Sequence, residues 1–169
     1  MQIREETCCF TGHRPEKLPW GNDESDPRCE HLKQRLRDVI ELAYAEGKRH
    51  FICGMARGCD FYFAEAVISL RARKPDVTLE AAIPCSEQSS MWSGEHRQRW
   101  NRLVKACNRQ TVLQGGYTSD CMLRRNRYMV EQSSLVIAVY DGSDGGTRRT
   151  LEYAIREKIP FLDIDPNQM

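Results

Sequence analysis

Three short segments of the 169-residue chain bring together residue types that handle anionic groups. The first is Thr11-Gly12-His13-Arg14-Pro15. Glycine lets a ligand approach the backbone closely, and an arginine forks onto phosphate or carboxylate. The competing reading is a plain turn with a solvated arginine. The second is Gly54-Met55-Ala56-Arg57-Gly58-Cys59-Asp60, whose two glycines suit an anion cradle where a strand turns into a helix. It matches neither GxGxxG nor GxxxxGK[ST]. Asp60 reads first as a helix cap, and Arg57 either reaches a phosphate or points to water. The third is Asp141-Gly142-Ser143-Asp144-Gly145-Gly146-Thr147. Gly145, Gly146 and Thr147 open the last helix, where backbone N–H groups lack partners and the helix dipole favours an anion. The alternative there is a flexible loop with a cap.

These segments need elements to hold them, and the hydrophobic pattern supplies an alternation. Apolar strands are expected at Thr7–Thr11, His50–Cys53, Val77–Ile83, Thr111–Leu113, Leu135–Tyr140 and Phe161–Ile164. Between them, Leu32, Leu36, Val39, Ile40 and Ala43 recur at helical spacing and Gly47 ends the helix. Phe61–Leu70 is apolar nearly all round, so that helix is expected to be buried. Further helices are expected over Glu95–Cys107, around Met122 to Val130 with Ser119 or Asp120 as cap, and from about Arg148 to Lys158. The polar stretch from His13 to Pro27 is expected to be an exposed loop. Strand–helix alternation with continuous apolar strands predicts one α/β, Rossmann-like three-layer domain over residues 1–169, with a mainly parallel sheet. Ligands in such sheets bind beyond the strands' C-terminal ends, at the point where strand order reverses. All three segments lie there.

Composition narrows the function. Apolar residues are 40% and charged residues 29%, a globular balance, and a chain of this size buries about 70% of its unfolded surface. No apolar run approaches the length of a membrane span, and the N-terminus lacks a secretory signal, so a cytoplasmic protein is expected. The net charge of +1 argues against duplex nucleic acid as the main partner without excluding nucleic acid. Cys8, Cys9, Cys29, Cys53, Cys59, Cys85, Cys107 and Cys121 form no CxxC pair, so free thiols are expected and no metal site. The four histidines lack metal spacing. Glu152 could face the crevice and meet ribose hydroxyls, or be an exposed helix residue. Arg124, Arg125 and Arg127 cannot share one helix face, and most of their charge is expected to be solvated. Trp92 to Arg109 interleaves aromatics with arginines and offers a surface for single strands or a protein, or a solvated face around a core tryptophan.

The segments TGHRPEKL at Thr11–Leu18, GMARGCD at Gly54–Asp60, RNRYMV at Arg125–Val130 and YDGSDGGT at Tyr140–Thr147 together resemble the YpsA/YoqJ branch of the SLOG superfamily, in order and spacing, over nearly the whole chain. The resemblance implies a Rossmann-like domain of bacterial or phage origin, in a superfamily that binds nucleotides or nucleotide-derived ligands such as NAD or ADP-ribose, and related proteins often form homodimers. It supplies no activity for this branch, and the first expectation is a binding module, a sensor or regulator. The expected ligand-binding positions, from the three loops and the resemblance together, are Gly12, Arg14, Gly54, Arg57, Gly58, Asp60, Asn126, Gly145, Gly146 and Thr147. Two relatives frame the alternatives. The LOG nucleotide N-glycosidases carry MxxRKxxM and PGGxGTxxE. Met122, Arg125 and Met129 match the first with Asn126 for lysine. Gly145, Gly146 and Glu152 match the second, although the proline is missing and Arg148 replaces a glycine. A LOG-like enzyme would use Arg125 and Glu152 as its catalytic pair. The DprA relatives bind single-stranded DNA.

Overall fold

A computed structural model describes residues 3–169. Six strands and five helices alternate: β1 (Thr7–Gly12), α1 (Pro27–Ala45), β2 (His50–Cys53), α2 (Cys59–Arg73), β3 (Thr78–Ile83), α3 (Gly94–Ala106), β4 (Arg109–Val112), α4 (Cys121–Glu131), β5 (Leu135–Val139), α5 (Gly146–Arg156) and β6 (Phe161–Ile164). The sheet is wholly parallel in the order β4-β3-β2-β1-β5-β6. Strand order reverses between β1 and β5, where Gly12 pairs with Val139. This is a single Rossmann-like α/β domain, and its switch point lies between the β1 and β5 loops.

Alternate side chains along each strand feed two cores. Cys8 and Phe10 of β1 join α1, α2 and α3 on one face, whereas Cys9 joins Val136, Met129, Leu151 and Ala154 under α4 and α5 on the other. Phe10 stacks on Phe63 of α2 with ring centroids 4.5 Å apart. The nearly all-apolar α2 is largely buried, through Phe61, Tyr62, Phe63, Ala64, Val67 and Leu70, with Ser69 exposed.

Several expectations need correction. The stretch from His13 to Pro27 is anchored, not merely exposed. Pro15, at the first position of a one-turn 3-10 helix (Pro15–Lys17), is buried, and Trp20 is buried with its Nε1–H donating to the Tyr62 hydroxyl at 3.3 Å. Asp26 caps α1 by accepting from the Arg28 N–H at 2.8 Å. Neither Ser119 nor Asp120 caps α4 through its side chain; Asp120 instead accepts from the Thr118 hydroxyl at 2.7 Å. The fourth strand lies at Arg109–Val112, two residues ahead of its predicted start, because the pairing of Glu80 with Arg109 sets its register.

That register builds a polar anchor beneath α4. Glu80 is fully buried on β3 and accepts hydrogen bonds from Thr111 (2.7 Å) and Tyr128 (2.6 Å), with His50 Nε2 at 2.8 Å. Burial raises its pKa, but the hydrogen bonds from His50, Tyr128 and Thr111 win and hold the carboxyl below its usual range. Tyr128 thereby fixes α4 on the sheet. Replacing it with phenylalanine leaves a buried carboxylate one donor short. Tyr128→Phe should destabilise by about 1–3 kcal/mol and lower the melting temperature by several degrees, which calorimetry checks.

Candidate functional site

A cavity of about 400 Å³ opens at the switch point, lined from the β1 loop, the start of α2, α4 and the start of α5. Gly12 ends β1 here. A Cβ on it would lie 2.7–2.8 Å from the Phe10 ring and the Cys59 side chain, so only glycine lets β1 close on the start of α2. His13 is 3% exposed and ties this loop to the β5 loop. The Asp141 N–H donates to His13 Nε2 at 3.0 Å, and Asp141 Oδ1 lies 2.8 Å from the same nitrogen. Burial lowers the imidazole pKa against the pull of Asp141. Burial would raise the Asp141 pKa, but the bonds from Ser143 and His13 hold its carboxyl down to about 2.

The β2 loop differs from the predicted anion cradle. The Ala56 N–H is already taken by Asp60 Oδ2 at 2.9 Å, and the Cys59 N–H by the His13 carbonyl at 3.2 Å. Gly58 has φ +85°, and a Cβ there would lie 2.9 Å from Pro15 Cδ, so this glycine serves loop-on-loop packing. Asp60 closes the loop by reaching back to Ala56, while Gly58 stands at the helix cap position. Burial pushes the Asp60 carboxyl up to about 6, against the opposing pull of Arg125. Arg57 is not in the lining; it donates to Glu16, which is, at 2.7 Å, with its guanidinium 6.0 Å from the Trp92 ring centroid.

Arg125 is the largest departure from expectation. It is 4% exposed, not solvated, and it lines the cavity. Its Nη1 donates to the Gly54 carbonyl and reaches the Ala82 carbonyl at 3.4 Å, while Nε donates to Asn126 Oδ1 at 2.8 Å. Among the described residues no carboxylate lies within ion-pair distance of it. Gly54 makes room for it, since a Cβ there would sit 2.4 Å from the guanidinium. The same Gly54 carbonyl accepts from Gln88 Nε2 at 2.9 Å, and Gln88 Oε1 accepts from Trp100 Nε1–H at 3.0 Å. Trp100 is thus partly buried and anchors this loop, and Arg99 beside it is bound by Glu24 and by Glu65 at 2.6 Å.

The start of α5 forms the far wall. Gly145 stands at the cap position with φ +145° and no capping side chain, which leaves the first amides of α5 without a side-chain partner. Gly146 and Thr147 line the cavity. A Cβ on Gly146 would meet only Asn126 Nδ2, at 4.0 Å. Lys17 Nζ donates to Ser143 Oγ at 2.9 Å and to the Asp144 carbonyl. Arg14, Lys17, Arg125 and Arg149 outnumber Glu16 and Asp60 in the lining, and Phe10, Ala56, Met122 and Met129 give it an apolar side.

The structure therefore places Gly12, Arg14, Asp60, Arg125, Asn126, Gly145, Gly146 and Thr147 on the cavity, and Gly54, Arg57 and Gly58 off its lining. Glu152 does not join Arg125. The buried face of α5 is Thr147, Thr150, Leu151 and Ala154, which turns Glu152 into a neighbouring exposed groove. Sequence reasoning passed over Lys17 and Arg149 as site residues. The signal for Lys17 was Pro15, which starts the one-turn helix that folds it back over the cavity. Among the described residues, no group of three His, Cys, Asp or Glu could hold a metal.

The model of the YspA SLOG family matches residues 8–161. The chain belongs to that family. It is 32% identical over 142 residues to the SPbeta prophage-derived protein YoqJ of Bacillus subtilis, covering 76% of this chain and 83% of that protein. A UPF0398 protein of Bacillus thuringiensis is 24% identical over 151 residues, 88% of this chain and 81% of its own. Among solved structures, DNA processing protein A of Helicobacter pylori, described by its single-stranded DNA binding mode, superposes with a TM-score of 0.63 at 16% identity over 96% of this chain and 69% of that one. The Streptococcus pneumoniae protein of the same name gives 0.60 at 14% identity over 94% of this chain, which spans half of that longer protein. These likenesses establish the fold.

Two outcomes follow from the geometry. Gly54→Ala should lower the melting temperature sharply because its Cβ collides with the Arg125 guanidinium. Gly146→Ala, with open space at a helix start, should not. The folded-state pKa of Asp60 lies above its unfolded value, so its contribution to stability is full at low pH and is lost as pH rises towards about 6. Asp60→Asn keeps an acceptor for the Ala56 N–H. Its stability relative to wild type should therefore climb between about pH 4 and 6 and level off above, as pH-dependent denaturant titrations would record.

Proposed function

We propose that this protein binds a small nucleotide-derived ligand at the switch-point cavity and acts as a sensor or regulatory module in the cytoplasm. The observation that carries this reading is the Arg125 guanidinium, which lines the cavity almost wholly buried with no carboxylate in ion-pair range. A buried charge whose attracting carboxylate, Asp60, acts only from beyond ion-pair range is costly, and a bound phosphate relieves it. The start of α5 supplies amides and a favourable dipole beside it, with Lys17, Arg14 and Arg149 around the rim. The apolar side formed by Phe10, Met122 and Met129 suits a base or ribose face. An N-glycosidase would need Arg125 and Glu152 on the same bond. Glu152 faces the outer groove, so we favour binding without turnover.

A thermal-shift panel of AMP, ADP, NAD, ADP-ribose and a short single-stranded oligonucleotide tests the reading. A ligand at a hundredfold excess over its Kd adds about 2.7 kcal/mol, which is roughly 5–10 °C for a domain of this size. Gly146→Glu puts bulk and negative charge at the start of α5, and should abolish the shift while leaving the unliganded melting temperature within about 2 °C. A flat panel, or an unchanged shift in Gly146→Glu, overturns the assignment. Free base in the same mixtures would restore the hydrolase.

A further inference from the structure

A second concavity lies beside the cavity, between α4 and α5. Leu123 and Arg127 of α4 and Arg149, Glu152, Tyr153 and Arg156 of α5 line it. Arg127 and Arg156 place their guanidinium carbons 5.3 and 5.1 Å from the Tyr153 ring centroid. Stacking of this kind leaves the edge N–H groups of a guanidinium free to donate. The Tyr153 hydroxyl is itself fixed, donating to Glu131 Oε2 at 2.9 Å.

None of the three arginines has a carboxylate within ion-pair distance among the described residues. Their neighbour Arg148, on the other side of α5, is paired with Asp144 at 2.5 Å. Glu152 is the one carboxylate in the lining. Arg149 lines both concavities, so the two adjoin at that side chain.

We propose that the α4–α5 groove is a second anion subsite that takes a further phosphate, covalently attached to the ligand held at the start of α5. This rests on the nucleotide reading and narrows it. The preferred ligands carry at least two phosphates along an extended body, and a nucleoside monophosphate fills only half of the site. A dinucleotide-like small molecule and a short single strand both present that chemistry. In either case Arg127 and Arg156 receive the distal phosphate, and Arg149 bridges the two subsites.

The test is calorimetric titration of AMP, ADP-ribose and pentathymidylate into wild type and the double variant Arg127→Gln/Arg156→Gln. Both side chains are exposed, and the melting temperature of the variant checks its fold. Wild type should bind ADP-ribose or pentathymidylate at least tenfold more tightly than AMP. The double variant should lose that margin and hold AMP within twofold of wild type. A margin for ADP-ribose identifies a small molecule as the source of the second phosphate, and a margin for pentathymidylate alone identifies a strand. Equal affinity of wild type for all three, or a margin that survives in the variant, overturns the second subsite and leaves the nucleotide reading intact. Binding of none of the three defeats both.

Discussion

The candidate site depends on one buried contact, the Arg125 guanidinium against the Gly54 carbonyl. That contact joins α4 to the end of β2, and the surrounding residues accommodate it. Gly54 gives up its side chain to admit the guanidinium. Gln88 holds the same carbonyl from the opposite side, and Trp100 holds Gln88. Glu80, one turn of α4 further along, receives Tyr128 and stops the helix from sliding. A cationic side chain carried so deep, with backbone carbonyls as its main partners, leaves a net positive field at the cavity wall.

The second constraint is how the loops close on one another. His13 binds the β5 loop, Lys17 binds the turn before α5, and Gly58 lets the β1 and β2 loops pack together. The crevice is therefore largely pre-formed. The His13–Asp141 pair and the Lys17 bonds to Ser143 and Asp144 hold its walls together.

The sequence was most informative where periodicity is strong. All six strands and all five helices were legible, since apolar runs and helical spacing respond directly to burial. Their ends were not, because capping and register are settled by partners distant in sequence, as with Glu80 and Arg109. The three glycine-bearing loops announced the site, but their glycines proved to have different tasks. Gly145 and Gly146 open the cavity, whereas Gly54 and Gly58 make room for packing. Type alone does not distinguish these. The same holds for Arg125 and Arg57: one lies buried on the cavity and the other, half-buried, on Glu16, and only the tertiary fold separates them.

The eight thiols are free and buried, and they are spread through both faces of the sheet. Burial pushes Cys9 and Cys107 up to about 12 and raises Cys8, Cys53 and Cys59 as well, so none of these five is a ready thiolate in the closed fold. Alkylation of these cysteines must wait for the surrounding structure to open. The chain thus carries its own set of opening reporters: Cys9 for the α4–α5 face, Cys8, Cys53 and Cys59 for the α2 face, and Cys107 for the end of α3. The rate at which each is modified would map how cooperatively the two cores come apart.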